Sequence, residues 1–419
     1  MYTLYRSLTY ALSPFIPYVL RRRLARGKED AVRLPERLGH ATLTRPDGKL
    51  LWIHAASVGE ANAALPLIDA LIKTYPQLHI LLTTVTVTSA TLMEKRLPAQ
   101  AIHQYAPVDT PQAVHGFLDH WRPDIALWVD SEFWPNLIME SHSRGIVMGV
   151  INARMSASSF RIWNYFRPWV KGLFASFGFC FAQSAIDAER LSCLGMHSIS
   201  HIGNLKYDAP ALPCDEQELQ ALKASVNTRP HWLAVSTHPG EEEIISRAHT
   251  RLKEHLPDIL TFIIPRHSRR GDAIAGALKN ASLNVAQRSH GESLRPETDI
   301  YLADTMGELG LFCRLARIVL MGGSLVEHGG QNPLEAARLG CAILLGPHME
   351  NFPDICRDLE HDKACIRVGT EEELTAALMR LFSDTEQSEQ LSRNALQHVQ
   401  LHSGMVAHIM QALEPTLSY

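Results

Sequence analysis

Glu60 is the residue of this 419-residue chain best placed by type and spacing to move a proton. It closes the tetrapeptide Ser57-Val58-Gly59-Glu60, between an apolar strand-like run at 50–56 and a stretch of helical periodicity at 61–73. A carboxylate in the first turn of a helix, beside a glycine that lets the backbone turn tightly, can take a proton from an incoming hydroxyl. The same Ser-x-x-Glu spacing is also that of a capping box, in which the glutamate returns to the backbone of its cap.

A second constellation reads RIVLMGGSLVEHGGQNPLEAARLGC over residues 317–341. Its apolar run, 318–321, is short enough to be a buried parallel strand. Gly322, Gly323 and Ser324 follow, then His328, Gly329 and Gly330. A helix is expected next, with Asn332 as its cap, Pro333 at its first position, then Leu334 and Glu335. Strand, glycine loop and helix N-terminus together offer backbone N–H groups to a phosphate. A nucleotide here would set its phosphate at the loop and its ribose near Glu335, whose carboxylate accepts from hydroxyls. Glu335 can equally return to Asn332 in a capping box, and the two roles are compatible.

Further candidates follow other strand-like runs. After 125–129 come Asp130-Ser131-Glu132-Phe133-Trp134-Pro135-Asn136. An acid-x-acid pair can hold a divalent metal. We expect instead a polar pocket wall with Glu132 turned inward; a cap for a helix at Pro135 is the structural alternative. Pro265 and Arg266 end the run 260–265, and a planar guanidinium suits bidentate phosphate contact. Met306, Gly307 and Glu308 follow the run 299–303, where backbone groups can pair with a base edge. Ser236-Thr237-His238-Pro239-Gly240-Glu241 is another loop of this kind. Lys206 can neutralise an anionic sugar or stand as a solvated lysine.

These loops all need strands behind them. Strand-like runs at 80–84, 102–105, 147–151 and 179–182 join those above, and the pattern restarts at 232–236 after a polar stretch near 208–215. Strands alternating with helices predict α/β architecture, with parallel, doubly wound sheets in two Rossmann-like halves. Ligands then bind at the carboxyl ends of the strands, in a cleft that the two halves face. The expected segments are 1–30, 31–206, 207–395 and a C-terminal helix at 396–419.

Composition fits that reading: 46% hydrophobic, 20% charged, net charge −4. Nothing overall points to nucleic acid. Seven scattered cysteines, without a C-x-x-C pair, fit a reduced compartment and neither a disulfide framework nor a zinc site. Residues 1–20 are apolar and tyrosine-rich, and Arg21, Arg22, Arg23, Arg26 and Lys28 follow. An interfacial helix with a basic skirt, lying on the cytoplasmic side of a membrane, is the expected form; a helix simply packed on the domain is the alternative.

Taken together, ERLG, SVGE, E-F-W-P-N, N-A-R-M-S, L-K-Y-D, S-T-H-P-G-E-E, P-R-H, D-T-M-G-E-L and G-G-S-L-V-E-H-G-G-Q-N-P-L-E resemble the 3-deoxy-D-manno-octulosonic acid (Kdo) transferases nearly end to end. The resemblance implies a GT-B glycosyltransferase of family 30 with two Rossmann-like domains and an N-terminal membrane-associated helix. It would move Kdo from CMP-Kdo to the lipid A precursor, lipid IVA, at the cytoplasmic face of the cell inner membrane, with inversion and without a metal or other cofactor. It implies Glu60 as general base. CMP would lie against Pro265 and Arg266, Met306 to Glu308, and Asn332 to Glu335. Ser57, Gly59, Glu132 and Lys206 would line the substrate pocket. The family often has glutamate at Asp130 and histidine at Gln331; neither departure touches the expected base, and Gln331 adjoins the nucleotide loop. Two other readings stand beside this one: a UDP-sugar 2-epimerase of the same fold, and a non-catalytic, membrane-docked glycan-binding protein.

Overall fold

The computed structural model describes residues 2–130 and 132–417; Ser131, in the acidic stretch after the fourth strand, lies outside the described residues. The chain divides into two compact units. One takes the chain up to Ala209 and again from His402; the other is Pro210–Leu401.

Among the described residues, each unit is built on a seven-stranded sheet, and every pairing in it is parallel. The first holds β1 (Leu50–His54), β2 (His79–Thr84), β3 (Ala101–Tyr105), β4 (Ile125–Val129), β5 (Val147–Ala153), β6 (Phe179–Ala182) and β7 (Ile199–His201). The second holds β8 (His231–Thr237), β9 (Leu260–Pro265), β10 (Val285–Gln287), β11 (Ile300–Leu302), β12 (Ile318–Met321), β13 (Ala342–Leu345) and β14 (Cys365–Arg367). Continuous apolar runs such as β4 and β12 are buried along their whole length, as strands covered on both faces must be. Alternation along a strand then feeds two cores. Leu51 and Ile53 pack with the helix Val58–Thr74, while Leu50 and Trp52 pack with Phe117 and Trp121.

The strand orders are β3-β2-β1-β4-β5-β6-β7 and β10-β11-β9-β8-β12-β13-β14. Each order reverses beside its first strand, between β1 and β4 and between β8 and β12. Ligands of such sheets sit at this reversal, outside the carboxyl ends of the strands. The edge strands β7, β10 and β14 have three residues each and are too short to show as apolar runs in the sequence.

Two ends of the chain differ from the sequence expectation. The single N-terminal helix is two short ones, Tyr2–Leu12 and Ile16–Leu24, around the 3-10 turn Ser13–Phe15. Pro14 and Pro17 interrupt the helical hydrogen bonding there. Among the described residues no helix is long and apolar enough to cross a membrane. At the other end, three helices occupy Glu371–Ser383, Thr385–His402 and Met405–Leu417. The last begins at Met405 instead of 396 and packs on the first unit. Met405, Ile409, Leu413 and Leu417, four apart on one face, are buried in the core beside Leu51. Asp208 accepts the Gly404 N–H at 2.6 Å, tying that helix back to the end of the first unit.

Candidate active site

Glu60 stands at the carboxyl end of β1, beside the reversal, on the third residue of the helix Val58–Thr74. The Ser-x-x-Glu spacing is used as a local cap. Ser57 Oγ accepts the Glu60 N–H at 3.3 Å and donates to Glu60 Oε1 at 2.7 Å, while the Ala56 N–H donates to Oε2 at 2.7 Å. The carboxylate is thus folded back on the loop as a cap, yet it is half-buried and not sealed away. Burial raises its pKa, the bonds to Ser57 and Ala56 pull it down, and the nearby Glu132 pushes it up again. The net shift is upward, towards the range useful to a base at neutral pH. Gly59 does not make a turn, since it is an ordinary helical residue. A side-chain carbon there would have only Ser57 Oγ within 4 Å, at 3.9 Å. Its smallness leaves space open beside the Glu60 carboxylate.

Asp130, not among the expected site residues, directly follows β4 on the other side of the reversal. Its φ is +64°, and its N–H donates to the Ile151 carbonyl at 3.0 Å, so the left-handed turn is pinned to the neighbouring strand. A non-glycine residue there stores strain, and such strain gathers at functional sites. Asp130 Oδ1 is buried without a hydrogen-bond partner among the described residues. Burial and the field of Glu60 lift the Asp130 pKa to about 7, against the pull of Arg154 and Lys206. Only its tertiary surroundings mark this residue; its sequence neighbourhood carried a weak metal motif. Glu132 is half-buried, with Oε2 accepting the Trp134 indole N–H at 2.8 Å. Lys206 sits on a 3-10 turn, Leu205–Asp208, that is fixed to β5 by Asn152 Oδ1 accepting the Leu205 N–H at 2.9 Å. It belongs to the first unit and is no free linker residue. Among the described residues, no three His, Cys, Asp or Glu side chains gather to hold a metal ion.

In the second unit the glycine loop differs from expectation. Its first N–H groups already hold an anion from the protein itself. Glu241 Oε2 accepts from Gly323 at 2.7 Å and from His238 at 2.8 Å; Oε1 accepts from Ser324 and Leu325, each at 3.0 Å. Glu241 is fully buried. Burial raises its pKa against the pull of these four bonds. The loop can lie this close because Gly322 has no side chain: a carbon there would sit 2.4 Å from the Ser236 carbonyl oxygen. The next residue of the motif, Glu242, pairs with Arg270 at 2.9 Å and accepts from Thr237 Oγ1 at 2.7 Å. The S-T-H-P-G-E-E stretch is therefore the internal brace of the glycine loop.

The expected helix after the loop is a single turn, Leu334–Ala337. Pro333, expected at the first helical position, is the N-cap instead; Asn332 stands one residue earlier, its Oδ1 accepting the Leu334 N–H at 3.1 Å, and four residues sum to a small dipole. Pro333 and Leu334 are buried in the turn, and Glu335 is half-buried. Gln331 faces His238, with its Nε2 3.2 Å from the His238 Nε2. An amide N–H pointing there needs a neutral imidazole as acceptor. Burial and the neighbouring His328, His267 and arginines hold the His238 pKa down at about 4, and its ring stacks on His328 at 3.6 Å.

Pro265 is buried at the end of β9, and Arg266 stands exposed beyond it with its N–H on the Thr237 carbonyl at 3.0 Å. Met306 is 77% exposed, and Gly307 has no atom within 4 Å of where a side chain would start. Glu308 is not free for a base: Arg288 grips both its oxygens, at 2.7 and 2.5 Å, and lowers its pKa. At the carboxyl edge of the second unit Arg266 and the open Met306-Gly307 turn meet solvent, together with His267 and with Glu327 and His328 of the glycine loop.

Two doubly wound parallel domains, with a half-buried carboxylate at the reversal of the first and a braced glycine loop at that of the second, give the GT-B fold. A family model described as 3-Deoxy-D-manno-octulosonic-acid transferase (kdotransferase) matches residues 32–209, and one described as Glycosyl transferases group 1 matches residues 248–398. The chain belongs to the 3-deoxy-D-manno-octulosonic acid transferase family. It is 38% identical to the probable 3-deoxy-D-manno-octulosonic acid transferase, mitochondrial, of Arabidopsis thaliana, over 92% of this chain and 89% of that protein. It is 32% identical to the 3-deoxy-D-manno-octulosonic acid transferase of Rickettsia bellii, over 99% of each. A solved UDP-GlcNAc 2-epimerase from Neisseria meningitidis, bound to UDP-GlcNAc, has a TM-score of 0.54 at 13% identity, covering 88% of this chain and 100% of that one. That likeness is one of fold alone.

Proposed function

We propose that this Kdo transferase moves Kdo from CMP-Kdo to a hydroxyl of a lipid A precursor, at the cytoplasmic face of the inner membrane. Glu60 takes the hydroxyl proton as the acceptor oxygen attacks the anomeric carbon of Kdo. The bond from that carbon to the CMP phosphate breaks, and its electron pair leaves on the phosphate oxygen. Attack from the face opposite the leaving group inverts the centre. Arg266 meets the charge that grows on the departing phosphate, a task suited to a fixed guanidinium. The Met306-Gly307 turn takes the cytosine edge through its backbone, and the Asn332–Glu335 turn takes the ribose side. Lys206 balances the Kdo carboxylate, with Asp130 setting the field around it and Glu60.

The Glu60 carboxylate carries this reading. It is desolvated, held in one orientation by Ser57 and Ala56, and raised in pKa at the carboxyl edge of β1. The test is CMP-Kdo plus a tetraacylated lipid A precursor, with products resolved by mass. A Kdo increment that disappears in Glu60→Ala supports the reading and counts the sugars added. No increment, or one that survives in Glu60→Ala, overturns it. Thermal shift supplies a second readout: CMP should stabilise the protein and UDP should not.

A further inference from the structure

The helix Tyr2–Leu12 is inside out. Its polar stripe faces the protein: Tyr5 Oη donates to Asp109 Oδ2 at 2.9 Å, and Asn136 Nδ2 donates to Thr9 Oγ1 at 2.9 Å. One turn on, Ser13 Oγ donates to Gln112 Oε1 at 2.8 Å. Leu4, Leu8 and Leu12, equally spaced on the other side, are 67%, 56% and 47% exposed. A helix built only to pack on a domain has the opposite arrangement.

A second segment shares this character. The helices Ala157–Tyr165 and Arg167–Phe174 expose Ile162, Tyr165 and Trp169, and Arg161, Arg167 and Lys171 on the same helices are exposed too. Neither 1–28 nor 157–174 contains an acidic residue. Exposed aromatics among cations, without acids, suit the headgroup zone of an anionic bilayer. Between the two segments lies a largely apolar cavity of about 550 Å³, walled by Tyr2, Tyr5, Met139, Trp163, Phe166 and Trp169. Its wall includes Pro135, which directly follows Trp134. The Trp134 indole holds Glu132, and Glu132 in turn raises the pKa of Glu60. The segment that walls the cavity therefore also reaches the end of β1, where the Trp134 ring packs edge-on against His54 with centroids 5.1 Å apart.

We propose that this cavity is an acyl-chain subsite: it takes one hydrocarbon chain of the acceptor lipid, while the flanking cations meet the acceptor's anionic headgroup. The proposal rests on the acceptor reading above. An aromatic-walled cavity of this size accepts a slender apolar chain, and its wall's continuity with the Trp134 contact at the end of β1, the strand that leads to Glu60, favours the acceptor's own chain over that of a bystander lipid. Each methylene that the cavity buries should be worth up to about fourfold in affinity.

Gly172 lines the cavity, and no atom lies within 4 Å of where its side chain would start, so a bulky residue there fills space without disturbing the core. The experiment compares the full-length protein with Gly172→Trp in mixed micelles. The probe is a tetraacylated lipid A precursor bearing a photoreactive diazirine in one acyl chain. Labelled peptides from the segments around Tyr5, Met139 and Trp163, lost in Gly172→Trp, support the subsite. So does a KM for the acylated acceptor raised about tenfold or more in Gly172→Trp with kcat unchanged. Labelling elsewhere, labelling that persists in Gly172→Trp, or equal labelling by a diazirine phosphatidylglycerol overturns it. If the wild-type cavity is labelled but no Kdo is transferred, the subsite stands and the transfer reading falls.

Discussion

Ser57 Oγ and Glu60 Oε1 lie 2.7 Å apart, so the residue that caps the helix Val58–Thr74 also fixes the carboxylate expected to do chemistry. The cap and the expected base are two side chains held together by one hydrogen bond. Glutamine at position 60 can keep the cap, whereas it cannot take a proton. Glu60→Gln should fold with stability within about 1 kcal/mol of wild type and lose turnover by about 10²–10⁴-fold. A denaturant melt and the mass-resolved transfer assay check the two halves separately; wild-type turnover in this variant would refute the base.

Gly59 leads to a cleaner separation. It sits in a helix with open space around it, so alanine should raise helix stability by up to about 1 kcal/mol. The added methyl group would intrude where an acceptor must approach Glu60. We expect Gly59→Ala to melt no lower than wild type while kcat/KM falls at least tenfold. An undiminished kcat/KM would show that nothing approaches from that side.

Asp130 gives a pH dependence whose sign follows from its shift. Its folded pKa, about 7, lies above the ordinary carboxylate value of 3.8. Below both values the group is protonated in either state and costs nothing. As pH rises, the unfolded chain ionises first, so stability falls between about 4 and 7 and then levels. The full penalty is at most about 4 kcal/mol. Asp130→Asn should therefore stabilise the protein at pH 8 and barely at pH 4. It should also move the acidic limb of kcat/KM to lower pH, since Asp130 and Glu60 titrate in one field. Equal stabilisation at both pH values would contradict the raised pKa of this buried carboxyl.

Glu241 serves as an internal anion for the loop that sequence logic reserved for a phosphate. In Glu241→Gln, an amide N–H must face backbone N–H donors. The loss should be about 3 kcal/mol in a melt, with weaker CMP binding by calorimetry. CMP binding at wild-type affinity in a destabilised variant would separate the brace from the donor site.

The doubly wound sheets were legible because a strand buried on both faces must be apolar along its length, and Ile125–Val129 and Ile318–Met321 are. The positions of the site loops followed, since a loop after such a strand falls on the carboxyl edge. The cap at Ser57 and Glu60 was legible too, because its partners are three residues apart. Contacts of that range are written in local spacing.

What the tertiary structure alone decided has long sequence separation. Glu241 reaches Gly323 across 82 residues, and Arg288 reaches Glu308 across 20, so neither occupancy shows in a motif. Nor does Asp130 announce its burial, its left-handed backbone or its lifted pKa, which arise from β5 and from Glu60 beside it. The sequence by itself determined which residues reach the edges of the sheets. Folding determined which of them spend their charge on the protein and which keep it for a ligand, because a charge is satisfied by whatever lies nearest in space, whatever its place along the chain.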